Sequence, residues 1–132
     1  MKKVDERLAR SRSASSGVER LQAFIEAWGG YIPEIHGISV ALRAMRDTDK
    51  EAAAAWEDRM QAVRQGCEAA VRAISEDGYL KEELTEVMGV DFLWTLLSVE
   101  NWERLILECG WSQSDYEQTL KQISVATLMS RK

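Results

Sequence analysis

Proline is almost missing from this chain: Pro33 is the only one in 132 residues, and eight glycines complete the supply of strong turn formers. A many-stranded β fold needs more punctuation than that. Cysteine is equally scarce. Cys67 and Cys109 stand 42 positions apart with no Cys-x-x-Cys and no histidine nearby, which excludes a disulfide framework and a zinc site and leaves two thiols suited to a reducing compartment. Histidine occurs once, as His36. Its neighbours one turn away, Pro33 and Val40, offer no metal ligand, so no metal is expected. No apolar run reaches the ~20 residues of a membrane span, and the start, MKKVDERLAR, lacks the apolar core of a signal peptide. The expected setting is cytoplasmic.

Catalytic signatures are absent too. A Ser–His–acid set would have to use His36, and there is no Gly-x-Ser-x-Gly elbow, no glycine-rich phosphate loop and no thiol-activating motif. The chain is read as a non-enzyme without a cofactor.

What is there describes one soluble globular domain over 1–132, with 45% hydrophobic and 30% charged residues. The net charge of −5 is uneven. Residues 1–20 hold six basic and three acidic groups, whereas the remaining 112 hold 11 basic and 19 acidic. An acidic body is a poor surface for phosphate backbones, so this chain alone is not expected to bind DNA.

The hydrophobic spacing is helical throughout. Val4 to about Ser13 reads as a short polar helix, followed by a Ser-rich breaker ending at Gly17. Val18, Leu21, Ile25 and Trp28 follow with 3,4,3 spacing, and Ile35, Ile38, Leu42 and Met45 repeat it. Gly29-Gly30 is expected to separate these two helices, with Pro33 in the first turn of the second. Trp56, Met60, Val63, Cys67, Ala70 and Ile74 then mark a helix from about Asp49 to Asp77, capped by Thr48 or Asp49. Gly66 lies inside it, where another backbone is expected to come close.

A connector, Tyr79 to Gly89, should tuck Leu80, Leu84 and Val87 inward. Asp91 is expected to cap a helix running FLWTLLSVENWERLILEC, apolar around nearly its whole circumference between Phe92 and Val99. Glu100 and Glu103 within it read as ion-pair partners of Arg104. A tight corner follows: Gly110 suits a left-handed residue past a helix end, and Ser112 an N-cap with Asp115 three residues on. The last helix carries Tyr116, Leu120, Ile123 and Thr127 on one flank and Val125, Leu128 and Met129 on the other. Two antiparallel helices with surplus apolar surface are half of a four-helix bundle, the other half supplied by a second copy.

The run DFLWTLLSVENWERLILECGWSQSDYEQTLKQISVATL resembles the end of a tetracycline-repressor family regulator. The resemblance rests on Leu93-Trp94, Leu96, Ser98 and Glu100, then Gly110-Trp111-Ser112, Tyr116, Leu120 and Leu128. Upstream, Gly78-Tyr79-Leu80 and Gly17-Val18-Glu19-Arg20-Leu21 are similar to other family positions.

It implies an all-α fold of about six helices, the last two forming half of an intermolecular bundle. Residues 1–14 would be a remnant of the helix that joins the family's DNA-binding head to its body, and the helix–turn–helix head is absent from this sequence. The implied function is ligand sensing and dimerisation in a transcriptional regulator, a repressor when a head is attached. DNA would be reached only through that head. The alternative is a stand-alone protein that heterodimerises with a full-length regulator.

The expected effector is small and apolar or aromatic. Trp28, His36, Met45, Trp56, Met60 and Cys67 are expected around an internal cavity of a few hundred Å³, with Tyr31 or Ser39 as further polar groups. Phe92, Leu96, Val99, Ile106, Tyr116, Ile123 and Val125 are expected to meet their mates in a homodimer.

Overall fold

The computed structural model describes residues 16–130. The expected first helix, Val4 to Ser13, and the linker remnant at 1–14 lie outside the described residues. What is described is all-helical: five α-helices, one π-helical segment and a single isolated bridge pairing between Leu80 and Met129.

Helix α1 spans Gly17–Met45 without interruption, which corrects the expected break at Gly29-Gly30. Ser16 caps it, its hydroxyl accepting from the Glu19 N–H at 3.3 Å. Pro33 has no N–H, so the Gly29 carbonyl four residues earlier loses its helical donor. The missing bond is replaced from far along the chain. Gln113 Nε2 donates to the Gly29 carbonyl at 2.6 Å, while Gln113 Oε1 accepts from Trp102 Nε1 at 3.1 Å. One amide thus satisfies the interruption and anchors a buried indole, and α1 continues.

Helix α2, Lys50–Glu76, begins at Asp49, whose carboxylate accepts from the Glu51 and Ala52 N–H groups at 2.9 and 3.2 Å. Its stripe Trp56, Val63, Cys67, Ala70 and Ile74 is buried, and Met60 is half-buried. α1 and α2 form the principal packed pair. At Gly66 the close neighbour is a side chain, not the backbone expected: a Cβ there would overlap the tip of the Phe24 ring. Gly66→Ala should therefore destabilise by about 1–2 kcal/mol, since overpacking of roughly 1–3 kcal/mol outweighs the helix-propensity gain of up to about 1. Urea denaturation reads this directly, and a neutral or stabilising result would mean that the ring yields freely.

Helix α3, Glu86–Leu96, starts earlier than expected. Thr85 is its cap, accepting from the Met88 N–H at 3.1 Å, and Asp91 lies inside it, paired with Arg64 at 2.7 Å. Val87 is exposed instead of tucked inward, while Leu80 and Leu84 are half-buried. The expected single helix over 92–109 is broken at Leu97–Ser98. Ser98 turns extended and caps α4, Val99–Trp102, by accepting from the Asn101 N–H at 3.3 Å. Asn101 reaches back and donates to the Thr95 and Leu96 carbonyls at 2.9 and 3.3 Å. Between them these two side chains satisfy the backbone on both sides of the break.

A π-helical segment, Glu103–Glu108, continues from α4. It ends as expected at Gly110, which has φ +75°. Ser112 then caps α5, Gln113–Leu128, through the Asp115 N–H at 3.0 Å. The inward face of α5 is Tyr116, Leu120, Ser124 and Leu128, so Ile123 belongs to the outer surface. The end of α5 is tied to the connector by Lys81 N–H to the Leu128 carbonyl at 3.0 Å and Ser130 N–H to the Tyr79 carbonyl at 2.7 Å.

Candidate functional site

Three indoles converge where α1, α2 and the α3–α4 corner meet. Trp28, Trp56 and Trp94, with Met60, Val63 and Leu97, line a cleft of about 630 Å³ whose rim carries Arg46, Glu57, Asp58 and Glu100. Two of the indole N–H groups are fixed to backbone. Trp28 Nε1 donates to the Leu97 carbonyl at 2.7 Å, and Trp94 Nε1 to the Met60 carbonyl at 3.0 Å. The corner is thereby stitched to both long helices, and the ring planes have defined positions. On the other side of Trp28 and Val63, a second pocket of about 220 Å³ is lined by Phe24, Ala27, Tyr31, Ile35, Arg59 and Ala62.

Guanidinium groups lie over two of the rings. Arg43 and Arg46 stand 5.8 and 5.7 Å from the Trp56 ring centre, and Arg64 stands 5.0 Å from that of Trp94. These distances are within cation–π range. Arg64 is also held by Asp91 and by Glu68. Arg43 pairs with Glu100 at 3.2 Å and Glu103 at 2.9 Å.

Of the six residues expected around an effector, Trp28, Trp56 and Met60 share the cleft. The other three stand elsewhere. Met45 is exposed at the end of α1. Cys67 is fully buried in the core, where burial pushes its thiol up to about 12 and keeps it protonated. His36 stacks on Trp102 with 4.9 Å between ring centres, and its Nε2 lies 2.9 Å from Glu103. Tyr31 lines the smaller pocket, and Ser39 is buried with no hydrogen-bond partner among the described residues. Trp94 was not anticipated as a site residue. Its signal was an indole N–H within an apolar stretch, a donor that needs a partner once buried.

The seven residues expected at a dimer seam divide by exposure. Val99 and Tyr116 are interior, at 1% and 0% exposure. Phe92, Leu96, Ile106 and Val125 are half-buried against the core, and Ile123 is exposed. Leu107 and Trp111 add exposed apolar surface nearby in sequence.

Glu100 and Glu103, expected from sequence to pair with Arg104, turn instead to Arg43, and Arg104 pairs with Glu108. The Arg43 hydrogen bond holds the Glu103 carboxyl below its ordinary range, against partial burial and with help from His36. A depressed folded-state value gives stabilisation that is complete above the unfolded value of about 4.3 and is lost as pH falls through the lower folded value. Glu103→Gln should therefore lower stability near neutrality and flatten the loss of stability below about pH 4.3. Equilibrium unfolding measured from pH 7 to 3 tests this, and parallel curves for the two proteins would refute it.

Among the described residues no helix is long and apolar enough to cross a membrane, and no group of three His, Cys, Asp or Glu side chains could hold a metal ion. Comparison of the chain with protein-family models, with curated proteins and with solved structures finds no match.

Proposed function

We propose that this chain is a small-molecule sensing and dimerisation domain, the body of a transcriptional regulator similar to those of the tetracycline-repressor family. The observation that carries this reading is the three-indole cleft. Its 630 Å³ is within the ordinary range for small-molecule sites, and flat aromatic walls suit an apolar or aromatic effector. The cleft also borders the corner at Leu97–Ser98, between α3 and α4. An effector between Met60 and Leu97 would favour one setting of that corner over another, and such a difference in affinity is what shifts a two-state equilibrium. α4 and the π-helical segment leave the corner directly, so its setting bears on the C-terminal helices.

Those helices, together with the preceding α3, carry apolar surface for pairing. Leu107, Trp111 and Ile123 are exposed, and Phe92, Leu96, Ile106 and Val125 are half-buried. A second copy joined through this surface would complete a four-helix arrangement. DNA binding would belong to a head attached to this body, the body itself contributing dimerisation and sensing.

The reading is tested by a thermal-stability screen against small aromatic compounds. A compound held at 100 times its dissociation constant should stabilise the chain by about 2.7 kcal/mol. Met60→Trp, which fills the cleft from α2, should abolish the shift while the melting transition persists. A screen with no stabilising compound, or a shift untouched by Met60→Trp, would contradict the assignment.

A further inference from the structure

The charge around the cleft names the kind of effector. Lining positions include three carboxylates, Glu57, Asp58 and Glu100, against a single guanidinium, Arg46. Glu100 is engaged by Arg43, but among the described residues neither Glu57 nor Asp58 carries an ion pair. Both are successive residues of α2, next to Trp56. Arg46 has no carboxylate partner among the described residues either, and the interaction that places it is with the Trp56 ring. The face of that indole thus already attracts a cation, as the negative face of an aromatic ring does. The body around it, residues 21–132, holds 11 basic and 19 acidic groups, so the longer-range field also favours positive charge.

We infer that the effector is an organic cation with aromatic or bulky apolar substituents, its apolar parts held by Trp28, Trp94 and Met60 and its positive charge near Trp56, Glu57 and Asp58. In binding it would displace Arg46 from the Trp56 ring, while Arg43, over the same ring, stays held by Glu100 and Glu103. An anionic ligand of equal size meets the same apolar walls but two unpaired carboxylates. Arg43 and Arg64, which also stand over the cleft's rings, are each already held by two carboxylates, which leaves Arg46 as the guanidinium there with no carboxylate partner among the described residues. This inference rests on the cleft being the sensing site and adds the sign of the ligand's charge.

Tetraphenylphosphonium and tetraphenylborate test it, because they match in shape and differ in charge. Quenching of tryptophan fluorescence, checked by calorimetry, should show the phosphonium binding at least about tenfold tighter, the factor that corresponds to roughly 1.4 kcal/mol of cation–π and Coulomb preference. The double variant Glu57→Gln/Asp58→Asn, at two exposed helix positions, should retain the fold and lose most of that preference. Equal or tighter binding of the borate overturns the inference, as does a preference the double variant leaves unchanged. If neither ion binds but a neutral aromatic compound does, the cleft stands as a ligand site and the charge assignment falls. If no compound binds, both fall together.

Discussion

Trp28→Ala should remove about 3–5 kcal/mol of stability, the usual cost of emptying a large buried aromatic site. Trp28 is buried in the core cluster and forms the wall between the 630 and 220 Å³ pockets, so its loss would join them instead of letting neighbours collapse inward. It also holds the Leu97 carbonyl at 2.7 Å. Leu97 sits at the break between α3 and α4, where helical donors have run out, and leaving a buried acceptor unmade adds about 1–3 kcal/mol. Against a total stability of about 5–15 kcal/mol, the variant should be partly unfolded at modest urea concentration. Trp28→Phe separates the two contributions: it keeps most of the packing and loses the hydrogen bond, and should cost about 1–3 kcal/mol. Unfolding midpoints of both variants check this. A Trp28→Ala midpoint within 1 kcal/mol of wild type, on the scale of ordinary surface substitutions, would show that the indole is not a structural member.

The second large effect is expected at Gln113. Its amide serves two buried groups on different elements, the Gly29 carbonyl and the Trp102 indole N–H. Gln113→Ala strips both, at about 2–3 kcal/mol. The interpretation has a sharper test in a double-mutant cycle. Pro33→Ala supplies the N–H that the Gly29 carbonyl lacks, so α1 can satisfy itself. In that background Gln113→Ala should cost less, by about 1 kcal/mol of coupling. Strict additivity would mean that Gln113 acts on Trp102 alone.

These two residues also show where sequence reading succeeded and where it stopped. The stripe from Trp56 to Ile74 was legible because it repeats 4,3,4,3,4 and ends at Asp49 and Gly78, local signals that nothing distant contradicts. The corner at Gly110 and Ser112 was legible for the same reason. Gly29-Gly30 followed by Pro33 carries an equally strong local signal for a break, and it was overruled by a side chain 84 positions away. No window of sequence contains that information. The break at Leu97–Ser98 was masked in the opposite way. Six apolar residues in eight read as one helix, although Ser98 and Asn101, the pair that caps the break, sit at the end of that run.

The site was half legible. Trp28, Trp56 and Met60 follow from helical periodicity and the expectation that neighbouring helices face each other. Trp94 arrives from a third element, and its place depends on a turn that the apolar pattern concealed. His36 and Glu103 meet across 67 positions, and sequence gave no reason to pair them. Val99 and Tyr116 are apolar enough for an interface, but exposure is a property of the whole packing, and both are used up inside the chain.

Amide hydrogen exchange, with and without a saturating stabilising compound, tests the central claim most directly. Local opening free energies rise where a ligand closes over the backbone. If the three-indole cleft senses a ligand and passes its presence to the C-terminal helices, protection should increase at residues 56–63 and at 94–100, and should extend into 103–108. Protection confined to the groove between α1 and α5, lined by Val18, Gln22, Lys121 and Val125, would contradict it.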